Sequence, residues 1–207
     1  MSESLSRYFP SLPDNQMKML VQLEDLYREW NSKINVISRK DIDNFEIHHL
    51  LHSLAIAKVI DFIPGTRILD VGTGGGFPGI PLSVIFPGSE FTLLDSIAKK
   101  IKVARSVADD LGLKNVITSV RRLEEEKNKY DFVLSRAVTS FPEFVKLTVK
   151  NVEIGGKNAS GNGIICLKGG NLEEELKQYK SRVRIWNIRD FFTESFFETK
   201  KIVYLPV

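Results

Sequence analysis

Asp70-Val71-Gly72-Thr73-Gly74-Gly75-Gly76-Phe77-Pro78-Gly79 follows the apolar pair Ile68-Leu69 and concentrates glycine where a strand gives way to a turn. Glycine reaches backbone conformations closed to other residues and carries no Cβ, so such a turn lets the main chain approach a bound nucleoside. Gly74-x-Gly76-x-x-Gly79 satisfies the dinucleotide pattern in letters, which keeps NAD or FAD chemistry open. The acid at the strand end weighs against it, because a carboxylate beside a pyrophosphate is repelled. Asp95, after Leu93-Leu94 and roughly twenty residues beyond the turn, stands where a carboxylate accepts hydrogen bonds from both ribose hydroxyls. It can equally cap a helix, unless Ser96 does so.

Other reactive side chains are fewer. His48 and His52 have the one-turn spacing of a zinc pair, but no third ligand and no His-Glu-x-x-His pattern accompany them, so no metal is expected. His49 beside them can cap, pack or face a partner. Cys166 lies among Ile164, Ile165 and Leu167, which predicts a packed thiol rather than a nucleophile. Arg136 and Lys168 follow strand-like runs and therefore fall at a sheet's carboxyl edge, where they can pair with a carboxylate or a phosphate. Lys33, Arg39, Lys40, Arg121 and Arg122 are candidate phosphate contacts, each competing with the reading of an ordinary surface charge. Trp30 can stack on a base, although an aromatic at helical spacing is more often core.

Positioning these groups requires an α/β framework. From Thr66 onward, β-rich apolar runs at Arg67–Val71, Glu90–Leu94, Val116–Val120, Tyr130–Ser135 and Gly163–Leu167 alternate with helical segments, which predicts a mostly parallel sheet. The helices are expected at Pro78–Ile85, Ile97–Leu111, Phe141–Val152 and Leu172–Ser181. Residues 182–192 and 200–207 are strand-like with no room for a crossover helix between them, so they pair antiparallel. Before the turn, Met17, Leu20, Leu23, Tyr27 and Trp30 mark one helix, and a second is expected from Phe45 to Ile60. The chain thus divides into a helical cap, residues 1–63, on a core of residues 64–207. Gly155–Gly163 reads as a flexible polar connection. At 207 residues and 43% hydrophobic composition, the chain can bury a core. A net charge of +3 permits a polyanionic partner without requiring one. No run reaches membrane-spanning length and the first residues do not read as a secretory signal, which predicts a cytoplasmic protein with no membrane partner.

The layout resembles the Rossmann-like class I methyltransferases that use S-adenosylmethionine: seven strands, mostly parallel, with an antiparallel C-terminal strand. Asp70-x-Gly72-x-Gly74 resembles the first motif of that class, in which the acid faces the cofactor's ammonium. More narrowly, Asp70 to Pro81, Leu93-Leu94-Asp95-Ser96, Leu134-Ser135-Arg136-Ala137, Leu167-Lys168-Gly169, Trp30-Asn31-x-x-Ile34-Asn35 and His49-Leu50-Leu51-x-Ser53-Leu54 resemble the RsmG family. This family, also called glucose-inhibited division protein B, comprises bacterial 16S rRNA guanine-N7 methyltransferases. The resemblance covers roughly residues 25–207. It implies S-adenosyl-L-methionine as cofactor and 16S rRNA or the 30S subunit as partner, with no stable protein partner. It places Gly72, Phe77, Leu123, Glu124 and Arg136 at the cofactor, Asp95 at the ribose, and Asp70 and Gly74 in the turn. Two features depart from it: His52 stands where an acid is expected, and the Gly155–Gly163 loop is longer than usual. The residues alone leave open a methyltransferase acting on a small molecule or protein, and a non-catalytic nucleotide-binding assembly factor.

Overall fold

The computed structural model describes residues 3–136 and 139–207; Ala137, which closes one of the motifs above, lies outside them. Seven strands form one sheet in the order β3-β2-β1-β4-β5-β7-β6. They are β1 (Arg67–Val71), β2 (Glu90–Asp95), β3 (Val116–Val120), β4 (Phe132–Arg136), β5 (Gly163–Gly169), β6 (Arg184–Asn187) and β7 (Lys200–Pro206). The first five run parallel, while β7 pairs antiparallel with both β5 and β6. The order reverses between β1 and β4, and at such a switch the crossovers diverge and leave a crevice at the carboxyl edge.

β1, β2, β4 and β5 are nearly continuous apolar runs because both faces of the sheet are covered. Ile68, Phe91, Phe132, Ile165 and Tyr204 face one layer, and Leu69, Leu94, Val133, Ile164 and Cys166 the other. The first layer receives the N-terminal segment. Helices α1 (Glu3–Tyr8) and α2 (Asp14–Lys33) contribute Leu5, Leu20, Leu23 and Tyr27 to the same apolar cluster as the sheet. The second layer holds α6 (Phe141–Thr148) and α7 (Glu173–Leu176). Cys166 is buried there, and burial pushes its thiol up to about 12, which keeps it protonated and unreactive at neutral pH.

Several boundaries differ from expectation for local reasons. The segment 45–60 is not one α-helix. A 3-10 turn at Ile42–Asn44 leads into a wider π-type coil at Phe45–Leu51, then α3 (His52–Leu54) and another 3-10 turn at Ala55–Lys58. Nearly every side chain from Phe45 to Ile56 is at least partly buried, so no polar stripe holds a 3.6-residue period. β6 covers only four residues, because Ile188 leaves the edge and drops into the core. Tyr130 makes a single bridge to Val152 instead of joining β4. The long polar loop is anchored by two buried asparagines. Asn158 Oδ1 accepts from the Thr66 hydroxyl at 3.1 Å, and Asn162 Nδ2 donates to Asp131 Oδ1 at 3.1 Å.

One polar contact ties the N-terminal helices to the glycine turn. Tyr27, buried on α2, donates its hydroxyl proton to the carbonyl of Gly75 at 2.6 Å, and burial raises its pKa. Tyr27→Phe keeps the ring and strands the carbonyl. A stability loss of about 1–3 kcal/mol is expected in urea unfolding followed by circular dichroism, since a buried acceptor loses its donor.

Candidate active site

β1 ends in Asp70-Val71, and the chain then reverses through three residues at positive φ, Gly72 (65°), Gly74 (59°) and Gly76 (114°). Side chains there would be strained, so the turn needs glycine. It closes on Asp70. The Asp70 Oδ2 atom accepts from the Thr73 hydroxyl at 2.6 Å and from the Gly79 N–H, at the start of α4 (Gly79–Ile85), at 2.8 Å. A Cβ on Gly79 would stand 2.2 Å from Leu93 Cδ2 and 2.9 Å from Asp70 Oδ2, which explains the glycine that begins the helix. The expectation that Asp70 faces a cofactor ammonium is therefore corrected. Its side chain is fully buried and holds the turn from behind, with Oδ1 left without a partner. Burial raises its pKa to about 6 against the opposing hydrogen bonds and the charge of Arg136.

In front of the turn lies a cleft of about 580 Å³ lined by Val71, Gly72, Leu94, Asp95, Ser96, Lys100, Arg121, Arg122, Leu123, Glu124 and Arg136. That volume is in the usual small-molecule range of about 300–1,000 Å³. Asp95, at the tip of β2, accepts from the Gly74 N–H through Oδ2 at 3.0 Å and from the Ile97 N–H through Oδ1 at 2.8 Å. It thus steadies both the turn and the approach to α5 (Ala98–Asp110) while its carboxylate borders the cleft. Gly74 takes part through its N–H. The 3-10 turn Leu123–Glu125 after β3 supplies the far wall.

Arg136, at the end of β4, lines the cleft and reaches from it to the coil at Phe45–Leu51. Its guanidinium donates to the His48 carbonyl at 3.2 Å and to His49 Nδ1 at 3.1 Å, and lies 5.0 Å from the centre of the Phe77 ring. Burial pulls its pKa down to about 10, opposed by Asp70. It stays a cation at neutral pH. The ring of Phe77, a residue expected at the cofactor, sits in an aromatic cluster 4.6 Å from Tyr27 and 5.8 Å from Phe45. It is a buried wall behind Arg136 and not part of the cleft lining, because the turn tucks its ring toward α2. Lys168 is also corrected. Its Nζ pairs with Glu175 at 2.6 Å and donates to the Thr139 carbonyl, so it fastens α7 to the sheet edge.

The structure brings Gly72, Asp95, Leu123, Glu124, Arg136, Arg121 and Arg122 to one cleft, and leaves Lys33, Arg39 and Lys40 outside its lining. Lys33 pairs with Glu29 at 2.6 Å and lies over the Trp30 ring, which packs against the core. Arg39 borders a separate hollow with Arg28 and Asn31, and Lys40 is exposed. Arg121 reaches the buried Glu126 at 3.4 Å. His52 is buried with Nε2 unpartnered, and burial holds its pKa well below the usual range. Among the described residues no three His, Cys, Asp or Glu side chains gather as a metal site. Sequence reasoning missed Ser96 and Lys100 in the lining, and Asp41, whose carboxylate meets both His48 and His49. Asn31 signalled its role only as part of a motif. It closes the bend after α2 by accepting from the N–H groups of Val36 and Ile37, each at 2.9 Å.

The chain matches the family model described as GidB, rRNA small subunit methyltransferase G, over residues 16–203. Similar proteins named Ribosomal RNA small subunit methyltransferase G include those of Phocaeicola vulgatus, 53% identical over 99% of this chain and 98% of the relative, and of Bacteroides thetaiotaomicron, 54% identical over 99% and 100%. Among solved structures, an S-adenosylmethionine-dependent O-methyltransferase from Thermotoga maritima matches with a TM-score of 0.62 at 16% identity, covering 91% of this chain and 71% of that one. The magnesium protoporphyrin IX methyltransferase of Synechocystis, solved with bound S-adenosylmethionine, matches with 0.57 at 13% identity over 95% and 99%. At these identities what is shared is the fold, that of the class I methyltransferases.

Asp70 makes a pH signature measurable. Its folded pKa lies above the unfolded carboxylate value, so the folded state holds the proton more tightly and Asp70's contribution to stability falls as pH rises from about 4 through about 6. Asp70→Asn removes that term. Relative to wild type, the variant should gain stability across this window, by about 3 kcal/mol at 1.36 kcal/mol per pKa unit, in urea melts at stepped pH.

Proposed function

This chain belongs to the rRNA small subunit methyltransferase G (GidB) family, and from that premise we propose that the cleft beside the glycine turn binds S-adenosylmethionine for transfer to N7 of a guanine in 16S rRNA. The protein is an S-adenosylmethionine-dependent rRNA methyltransferase with a Rossmann-like fold. The observation that carries the site assignment is the convergence of Gly72, Asp95, Leu123, Glu124 and Arg136 on one cleft at the strand-order switch. The donor set fits this cofactor. A carboxylate at the tip of β2 suits ribose hydroxyls, a half-exposed glycine at positive φ admits a close ligand, and a cation at the opposite end suits an amino-acid carboxylate.

The cofactor supplies an electrophilic methyl group on sulfur. Guanine N7 offers an in-plane lone pair and no proton to remove, so no side chain has to act as general base. The chain's contribution is orientation, which aligns nucleophile and methyl at a near-attack distance of about 3–3.5 Å. Asp95 holds the ribose, Leu123 and Glu124 border the adenine, and Arg136 presents its guanidinium to the carboxylate. Lys100, Arg121 and Arg122 give the rim a basic character that suits the phosphates of RNA. On the cap, residues 1–63, Lys33, Arg39 and Lys40 are further candidates for phosphate contact, while residues 64–207 carry the cofactor. Among the described residues no helix is long and apolar enough to cross a membrane, which suits work on ribosomal particles in the cytoplasm.

Incubation with labelled S-adenosylmethionine and under-methylated 30S particles, or naked 16S rRNA, tests the assignment. Label on guanine N7 is expected; folded, cofactor-saturated protein that labels neither substrate rejects it. Asp95→Asn should weaken S-adenosylhomocysteine binding about tenfold in calorimetry, because hydrogen bonds from the ribose lose their charged acceptor. Unchanged affinity would place the ribose elsewhere.

A further inference from the structure

The guanidinium of Arg136 is held by two acceptors from consecutive residues, the carbonyl of His48 and Nδ1 of His49. Both histidines are in turn held by one carboxylate. His48 Nδ1 lies 2.5 Å from Asp41 Oδ1, and His49 Nε2 lies 2.6 Å from Asp41 Oδ2. We propose that Asp41 and His49 form a positioning pair for Arg136, fixing the direction in which its guanidinium meets the cofactor cleft. The proposal rests on the cleft being the S-adenosylmethionine site.

Donor and acceptor chemistry determines the state of the His49 ring. A guanidinium has only donors, so Nδ1 must offer its lone pair. Nε2 then carries the proton and donates it to Asp41, which selects a single neutral tautomer. A protonated ring would point an N–H at the guanidinium and set two cations side by side. Burial and the charge of Arg136 lower the His49 pKa to about 4, in agreement with a neutral ring. For Asp41, burial alone would raise the pKa, but the hydrogen bonds to the two histidines outweigh it and hold the carboxyl below its ordinary value. The ring is also fixed in orientation. It stacks on Phe45 with an interplanar angle of 18° and lies 5.3 Å from Phe77, the same ring that underlies the guanidinium. His48 is stacked on Phe196 at 3.9 Å, so the carbonyl it offers is fixed as well.

Asp41 and His49 therefore act through Arg136 without lining the cleft themselves. Truncation of His49 by the apolar ring of phenylalanine keeps the stacking and removes the acceptor, whereas the amide oxygen of asparagine occupies the place of Nδ1. His49→Phe is expected to bind S-adenosylhomocysteine about tenfold more weakly, with lower turnover on 30S particles and a lowered melting temperature, since the buried guanidinium loses an acceptor. His49→Asn should recover most of that affinity. Nitrogen NMR of wild-type protein labelled in its imidazoles should show a bare Nδ1 and a protonated Nε2 for His49 at neutral pH.

A protonated Nδ1 in that spectrum overturns the proposal. So does a folded His49→Phe with wild-type affinity and turnover, or a His49→Asn as impaired as a folded His49→Phe. If the phenylalanine variant does not fold, the spectrum and the asparagine variant decide: asparagine within about threefold of wild-type affinity supports the pair, and a loss of tenfold or more overturns it. Wild-type protein that binds no S-adenosylhomocysteine instead overturns the cofactor assignment, and the spectrum, which needs no ligand, still decides the tautomer.

Discussion

The active edge of this protein depends on a buried carboxylate closing a loop of ten residues. Asp70 Oδ2 gathers the hydroxyl of Thr73 and the N–H of Gly79, so that strand, turn and following helix converge on a single oxygen. The cost is a carboxyl group with no access to water and one oxygen unpaired. Such a group is tolerated because its two hydrogen bonds and the nearby Arg136 offset part of the desolvation. With the turn closed, the Gly74 N–H is directed at Asp95, and the Gly72 N–H at the Leu94 carbonyl at 2.8 Å. The floor of the cleft therefore follows from a contact on its far side.

The parallel strands β1, β2, β4 and β5 were legible because they are buried on both faces and read as unbroken β-rich runs, and the edge strand β3 because it is rich in β-branched residues. β1 and β3 have the bounds the sequence suggests, and β2 differs by one residue. The reversed end was legible from the lack of a crossover between β6 and β7. The segment 45–60 was not, since a stretch buried almost all round carries no period from which to read its coil. The site divides in the same way. Asp95 and Arg136 reach the cleft from their places at strand ends, whereas Leu123 and Glu124, in the turn after β3, were pointed to only by the family resemblance. Asp70 also ends a strand, but its direction depends on a hydrogen bond nine residues ahead. Lys168 looked free because its partner, Glu175, belongs to a helix whose packing only the fold brings near.

The N-terminal helices are more than a cover. Tyr27 reaches the turn's backbone, and Asp41, through His48 and His49, reaches the arginine that enters the cleft from β4. Their apolar side chains join the sheet's own cluster, so the cap and the sheet beneath the cleft share a continuous core. The second layer, with Phe141, Phe144 and Cys166, also reaches the site, since Lys150 just after α6 donates to the carbonyl of Glu124 at 3.2 Å.

The cleft's two long walls differ in how they are built. The Asp70 turn lies against the buried strands β1 and β2, whereas Leu123–Glu125 follows β3, an edge strand with half-exposed Ile117 and Val120. Segments with few buried contacts open at lower free energy than core strands. One side of the cleft is thus an anvil and the other a hinge. A ligand entering the cleft meets one wall set before it arrives, while the wall beyond it can shift without disturbing the carboxylate beneath the floor.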